Sequence, residues 1–489
     1  MSSVKILHEP HISNFRADPD SRYLTALTHS TWSTKLPSQL AQEWKPEEYD
    51  RKFELANNAM KAGYGSIAEV TRIQSEQIIP RYATLAAVSF YVGGTFLQQS
   101  LRYTLPQVTH EQEARSIIFV PDSLEPQEKK IAEHHEKALE LYKQIAKSVR
   151  VLPTRKPEEE ARTHLGWHTG TFIYIPWNLH HLGYANAFIK RFDGNQTPTI
   201  WKHDIEEQMR RLREKDERLA VMADGISKDL SFGKFYPGAY PFKSSTLALE
   251  YADRFPKDGK NAVELISYDL GPITHMSDQR IRSVISQGRS EGSYPDLAFV
   301  SFLFAIKDSG IARHEIIRHR TILQQSISIQ DTIRRSEVIL SAPLRNLFDE
   351  DRQLGNAYAE HLKDSQALYD DLGGYSNPDA VGVMEHNYAF VTIVQLNGYN
   401  IFNARGFLGN RCCKLAQTET ENLADLMNGK INEVLKKEGK EDLTKITHAN
   451  CFKLGRCPEI KRRAEKCTIY NARSFERELF PIMPGEYKE

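Results

Sequence analysis

Leu97-Gln98-Gln99-Ser100 and Leu323-Gln324-Gln325-Ser326 are the same four residues, 226 positions apart. Upstream, Gly65-Ser66-Ile67-Ala68-Glu69 is answered by Gly292-Ser293-Tyr294-Pro295-Asp296, and each is followed by a β-rich apolar stretch. Downstream, Ser116 to Pro121 and Ser336 to Pro343 each predict a short strand ending in a proline turn. A charged amphipathic helix follows in both places. Ile131, His135, Ala138, Tyr142 and Ile145 recur at helical spacing, as do Leu354, Tyr358, Leu362 and Tyr369. Ala185-Asn186-Ala187-Phe188 then faces Phe402-Asn403-Ala404-Arg405, and a Glu/Gln-rich helix is predicted after each, over 203–212 and 416–427. The offsets drift from 227 through 226 and 220 to 217, as small insertions and deletions produce. Five words in one order predict a duplication. Lys, Gly, Pro and Asp cluster between 228 and 262 (Phe232 to Gly238, Pro256 to Lys260) and mark the joint. Strands and helices come in segregated runs, so the fold class is α+β.

The chain has 489 residues, with Lys+Arg 64 and Asp+Glu 64. At ~100–200 residues per domain this is about two to four domains. Zero net charge excludes the basic field of a general nucleic-acid binder and the solvated charge of a disordered acidic chain. Hydrophobic residues at 40% suffice for sizeable cores. Five cysteines are too few, and odd in number, for a secreted disulfide scaffold. Met1 to Phe15 has no apolar signal-peptide region. No run reaches the ~20 apolar residues of a membrane span. Leu85 to Leu97 comes nearest, but Ser89, Gly93, Gly94 and Thr95 interrupt it, so a buried helix or strand is expected. A cytoplasmic enzyme with no membrane and no nucleic-acid partner is expected.

The densest chemistry is Arg313-His314-Glu315-Ile316-Ile317-Arg318-His319-Arg320, just after the apolar run Leu297 to Ile306. Such cations are costly to bury without anionic partners. Arginine suits bidentate phosphate contacts, and histidine exchanges protons near neutral pH. Taken alone the cluster reads as a solvated basic face; the apolar run before it argues for a site instead.

Arg318-His319-Arg320, seven residues, then Ser328 resembles the signature of the flavin-dependent thymidylate synthases. That signature continues as Ser-x-Arg-Tyr, which here stands in the first half as Ser100-Leu101-Arg102-Tyr103, where Phe90-Tyr91-Val92 replaces Arg-His-Arg. In the second half Gln330-Asp331 replaces the Arg-Tyr pair. Asn403-Ala404-Arg405, Arg411 and Ala416-Gln417-Thr418-Glu419 match further family features in the second half, the Asn-Ala-Arg being helical in the family. Ala161-Arg162 matches the family's phosphate-holding arginine in the first. Each half thus resembles the family with a different part missing.

The resemblance implies two tandem copies of the family fold, a mixed sheet with long helices, forming a pseudo-dimer. The halves would be 1–235, with an N-terminal extension that includes Trp32 and Trp44, and 236–489, with a cysteine-containing tail. It implies an FAD-dependent methyltransferase that converts dUMP to dTMP with methylenetetrahydrofolate and NADPH, at a composite site between the halves. Arg411 would be catalytic, polarising the pyrimidine. Arg318, His319, Arg320, Asn403 and Arg405 would hold the flavin. Glu315, Arg318, Gln99, Ser100, Arg102, Arg162 and Ser328 would bind substrate, with Ser326 an alternative to Ser328. A homodimer, hence a pseudo-tetramer, would follow. The family's Glu-His is replaced by Glu69-Val70 and Asp296-Leu297, and its Gln by Glu315, which accepts hydrogen bonds and does not donate. These departures leave open another pyrimidine nucleotide, or a non-catalytic nucleotide- or flavin-binding relative. Cys412, Cys413, Cys451, Cys457 and Cys467 show no Cys-x-x-Cys knuckle, and structural thiols are expected with no metal assigned. The same holds for the His-bearing stretches at Trp167 and Trp177, read as packed histidines.

Overall fold

The computed structural model describes residues 4–30, 33–61, 70–90, 97–98, 117–152, 157–192, 196–226, 240–319, 321–414, 416–454, 457 and 467. The word at 65–69 lies outside these residues, as do Gln99, Ser100, Arg102, Arg320 and the joint at 232–238.

In chain order the first half contributes β1 (Lys5–Leu7), β2 (His11–Asp18), β3 (Arg72–Pro80), α1 (Arg81–Phe90), β4 (Leu97–Gln98) and β5 (Ile117–Phe119). Then come α2 (Glu128–Ser148), α3 (Pro157–Ala161), β6 (Gly170–Asn178), α4 (Leu179–Phe192) and α5 (Thr199–Lys215). The second half contributes β7 (Ala262–Asp269), β8 (Ser301–Ser309), α6 (Gly310–Ile316), β9 (Leu323–Ser326), α7 (Ile329–Arg334) and α8 (Arg352–Asp371). It ends with β10 (Ala389–Asn397), α9 (Gly398–Phe402), α10 (Phe407–Arg411), α11 (Thr418–Lys437) and α12 (Asn450–Leu454). The Ala- and Leu-rich start of the long apolar run forms α1, which buries Ala83, Leu85, Ala86, Ala87 and Val88. The predicted amphipathic helices are α2, which buries all five of its periodic residues, and α8, which buries Leu354, Tyr358 and Tyr369 and leaves Leu362 half-buried.

The described residues form two compact units. One draws on 1–137, 166–242 and 363–384; the other on 138–165, 243–362 and 385–489. In the first, β2-β3-β6-β4 make a four-stranded antiparallel sheet. β1 and β5, distant in sequence, pair in parallel as a separate two-stranded sheet. In the second, β7-β8-β10-β9 repeat the same order, again antiparallel. The central pair runs Arg72↔Asn178 to Pro80↔Gly170 in one sheet and Ser301↔Asn397 to Ser309↔Ala389 in the other. Both edge strands carry an irregularity, between Ser13 and Arg16 and between Leu265 and Ser267. Bulges of this kind bend a strand and are retained features of a fold. The duplication is therefore visible in strand order, pairing length and edge irregularity. The segment before Trp44 holds β2, so it supplies a sheet strand.

The core of the second unit lies between its sheet and helices. Phe302, Phe304 and Ile306 of β8 meet Val394 and Leu396 of β10, Leu423, Met427 and Ile431 of α11, and Ile401 and Phe402 of α9. Burying each such side chain contributes ~1.5–3 kcal/mol. β8 is buried along most of its length, which explains why its sequence is a continuous apolar run rather than an alternating one.

Two local readings are corrected. The strand predicted after Ser336 is reduced to one bridge, Val338 to Tyr388. Ser336 turns the chain with φ 55°, and Pro343 already sits in the next helix, so no length remains for a ladder. Asn403-Ala404-Arg405 lies in a turn beyond the end of α9, with Gly406 N–H donating to Asn403 O at 2.9 Å. A Cβ on Gly406 would sit 2.3 Å from Tyr399 O, so the turn folds back too closely for any side chain. Its counterpart Asn186 lies inside α4.

Candidate active site

β8 ends at Ser309, whose hydroxyl caps α6 by accepting from Ala312 N–H at 3.3 Å. The cap starts a helix of seven residues that carries Arg313, His314 and Glu315. A turn follows, with His319 N–H donating to Ile316 O at 3.0 Å, and it presents Arg318 and His319.

Arg313 points inward. It is buried and donates to Gln324 Oε1 at 2.7 Å and to Ser326 Oγ at 3.2 Å, so the repeated Leu-Gln-Gln-Ser word of the second copy holds an arginine. Burial lowers the Arg313 pKa to about 10, with Asp308 opposing. Burial also pushes the Asp308 carboxyl well up, although Arg313 pulls it down.

Glu315 is the centre of the cluster. Arg318 Nη1 lies 3.5 Å from its Oε1 and Arg411 Nη2 3.3 Å from its Oε2. Gln417 Nε2 donates to Oε1 at 3.5 Å. Burial by itself would raise this carboxyl, but Arg318, Arg411, His314 and Arg162 outweigh it and hold it well below the usual range. Arg411, the last residue of α10, also donates through Nε to His319 Nε2 at 2.9 Å. Burial, then the Arg411 charge, lowers His319 to about 3, so the imidazole is neutral. Since Nε2 accepts, Nδ1 carries the proton. The ring stands edge-on to Phe407, centroids 5.0 Å apart.

The turn after α3 brings in Arg162, which is buried. Its Nη2 donates to Gln417 Oε1 at 2.7 Å. Glu160 accepts from Thr418 Oγ1. Arg162 is written in the first half of the sequence, but both residues belong to the second unit. Gln417 sits at the start of α11 in an extended conformation, and Glu419 occupies its first turn. A helix N-terminus favours a carboxylate there. Burial, then the nearby Glu160, nevertheless raises the Glu419 pKa, with Arg162 opposing. Glu419 also lines a cleft of about 400 Å³ with Lys260, Asn261, Arg345, Asn422 and Asp425.

Of the site residues expected from sequence, Arg162, Glu315, Arg318, His319 and Arg411 come together. Asn403 is instead half-buried, accepting from Tyr294 N–H at 2.8 Å, and Arg405 is exposed. Ser328 caps α7: its hydroxyl accepts from Asp331 N–H at 3.1 Å and donates to Asp331 Oδ2 at 3.0 Å. Ser326, the alternative, is the residue that contacts Arg313. Gln99, Ser100, Arg102 and Arg320 lie outside the described residues. Sequence reasoning assigned no role to Glu160, Gln417 and Glu419. The Ala-Gln-x-Glu word was the available signal for the last two.

A family profile described as thymidylate synthase complementing protein matches residues 13–193 and 252–435. The chain belongs to this family. The two matched segments each contain one of the equivalent sheets, so it is a tandem member of the thymidylate synthase complementing family. Among its relatives is a flavin-dependent thymidylate synthase of Nitratidesulfovibrio vulgaris, 32% identical over 196 residues, spanning 37% of this chain and 73% of that protein. Another, of the same description, comes from Clostridium tetani: 25% identical over 232 residues, spanning 43% of this chain and 89% of the other. Among solved structures, the UMP/dUMP methylase PolB from Streptomyces cacaoi bound with 5-Br dUMP superposes with a TM-score of 0.34 at 13% identity, over 46% of this chain and 97% of that one. That likeness is too distant to weigh. Among the described residues no helix is long and apolar enough to cross a membrane.

Proposed function

We propose that this tandem family member transfers a one-carbon unit to C5 of a pyrimidine nucleotide, with FAD as cofactor, at a site composed from both sequence copies. The reading extends to dUMP as substrate, methylenetetrahydrofolate as carbon donor and NADPH as reductant. Relatives named flavin-dependent thymidylate synthases support it. The observation that carries it is the chain of contacts Arg162 to Gln417 to Glu315 to Arg411, which joins an arginine of the first copy to the titratable cluster of the second.

The residues fit an anionic nucleotide. Arg318 and Arg411 pair with one ionised carboxylate, Glu315, and Arg162 acts on it as well, and guanidinium groups of this kind suit a phosphate or a pyrimidine oxygen. Arg411 is held by two acceptors, His319 and Glu315, which fixes the direction of its guanidinium before any ligand arrives. A neutral His319 with a donor Nδ1, beside the Phe407 ring edge, suits the acceptor atoms and flat face of a flavin ring. FAD, when bound, supplies hydride. Arg320, Asn403 and Arg405 complete its proposed contacts, and Gln99, Ser100 and Arg102 those of the nucleotide. The assembly is proposed to be a homodimer.

The test is release of tritium from dUMP labelled at C5, with FAD, NADPH and methylenetetrahydrofolate. Arg411→Ala and Arg162→Ala are each expected to lower kcat/KM by about 100-fold or more. Unchanged turnover in Arg162→Ala would remove the composite site. Glu315 favours a second reading, because a carboxylate fixed in its ionised form accepts only, and so selects a base edge by its N–H groups. Turnover of another pyrimidine nucleotide without turnover of dUMP would support it. Failure to bind either nucleotide or FAD would make the chain a non-catalytic relative.

A further inference from the structure

The second unit also gathers a group of side chains that the proposed reaction does not use. Cys412, Asp425 and His448 bring a sulfur, a carboxylate oxygen and an imidazole nitrogen within 4.8 Å of one another. All three belong to the second unit. Their spacing in sequence fits no standard ligand motif, so folding alone assembles them.

Each of the three is placed by its own stretch of backbone. Cys412 closes α10, its N–H donating to Leu408 O at 2.9 Å, and it is fully buried. Asp425 lies within α11. His448 sits between two anchored residues: Thr447 Oγ1 donates to Asn432 Oδ1 of α11 at 2.9 Å, and Ala449 is buried in the core. The His448 ring is tilted against Phe452, centroids 5.0 Å apart. Asn450 Nδ2 then donates to Asn410 Oδ1 at 2.9 Å and fastens the start of α12 to α10. A Cβ on Gly409 would lie 2.1 Å from Asn450 Oδ1, so this close approach needs glycine at 409.

The polar atoms of the group are left short of partners. Asp425 Oδ1 and His448 Nδ1 are both buried, and neither has a hydrogen-bond partner among the described residues. His448 Nε2 comes within 3.5 Å of Asp425 Oδ1, in ion-pair range but without a hydrogen bond. Buried polar atoms left unpaired are costly. The nearby cations are engaged elsewhere. Lys414 pairs with Glu421 and lies 4.0 Å from the other carboxylate oxygen, Asp425 Oδ2. Lys453 Nζ donates to Ile401 O, and to Asn403 O at 3.4 Å.

A divalent ion would satisfy these atoms. Thiolate, imidazole and carboxylate are zinc donors, with nitrogen and oxygen at ~2.0–2.2 Å and sulfur at ~2.3 Å. Tetrahedral ligands at those lengths stand about 3.3–3.6 Å apart, which the 3.5 Å between His448 Nε2 and Asp425 Oδ1 already matches. We propose that Cys412, Asp425 and His448 bind one zinc ion, with a fourth position left to water. Asp425 also lines the cleft of about 400 Å³, which gives the ion a path of entry. The ion ties the end of α10, next to Arg411, to α11 and to the turn before α12. This inference goes beyond the proposed activity and does not depend on it.

The untagged full-length protein is to be analysed for metal as purified, then stripped with a chelator and titrated with cobalt(II). One zinc per chain is expected, and a sulfur-to-cobalt charge-transfer band that zinc bleaches. Asp425→Asn and His448→Gln are expected to weaken zinc binding at least tenfold. Cys412→Ser is expected to abolish the band, and Cys451→Ser to leave band and zinc unchanged. Should Cys412→Ser fail to fold, melting of the stripped parent chain decides: zinc raises its melting temperature, and the rise is lost in Asp425→Asn. A protein without zinc, whose stripped form shows neither band nor rise, overturns the proposal and leaves three packed side chains. Zinc bound with undiminished affinity in Asp425→Asn and His448→Gln, or lost in Cys451→Ser, overturns it as well, because the ion then sits elsewhere.

Discussion

Glu315 and Glu419 show how one buried cluster treats two carboxyls in opposite ways. Glu315 stands between Arg318 and Arg411, and the charges win over burial. Its folded pKa is depressed, so it contributes stability at pH above the unfolded value of ~4.3, and that contribution fades as pH falls below it. Glu315→Gln is expected to lower unfolding free energy by about 1–3 kcal/mol at neutral pH and to flatten the acid side of the stability profile. Denaturant titrations at several pH values measure both. Glu419 lies beside Glu160, where burial and repulsion raise its pKa. The folded state there keeps a proton that the unfolded chain releases, so stability falls as pH rises above ~4.3. Glu419→Gln is expected to remove that decline between about pH 5 and about pH 8 in thermal melts. A decline as steep as in the parent protein would show that Glu419 is ionised in the fold.

At the scale of elements, the repeated word acquires two meanings. In the second copy it is β9, an edge strand paired with β10 from Thr392↔Ser326 to Gln395↔Leu323, and it carries Gln324 and Ser326 to Arg313. Two residues later Ser328 opens α7 as its cap. Removing such a cap costs ~1 kcal/mol. Ser328→Ala is expected to lower the melting temperature by a few degrees while leaving nucleotide binding, read by calorimetry, within about twofold. A larger loss of binding with no change in melting would make Ser328 a ligand contact. Ser326→Ala should instead disturb Arg313, because it removes one of that side chain's acceptors. Helix positions were legible at this scale because their apolar residues repeat with the helical period, as in α2 and α8. The strand after Ser336 was not, since its propensity was overridden by a left-handed residue and a helix that begins at Ala342.

At the scale of the molecule, the two copies do not keep their sequence segments to themselves. Residues 138–165 fold into the second unit and residues 363–384 into the first. Halves expressed separately as 1–235 and 236–489 would each leave a unit without one of its segments. They are expected to be poorly folded alone, by circular dichroism and thermal melting, and to regain helical signal and a cooperative transition when mixed. Independent cooperative melting of either half would show that the exchanged segments are dispensable. The duplication, the α+β class, the amphipathic helices and the cationic cluster after β8 were all determined by the sequence alone. Each is written locally, in repeated words, in periodicity, or in neighbouring charges. The sequence could not say that Arg162 meets Gln417, or that Glu315 stays charged while Glu419 holds a proton. Those outcomes depend on distance and burial between residues far apart in the chain. Only the packed unit sets those quantities, because a charge's energy follows its surroundings and not its place in the sequence.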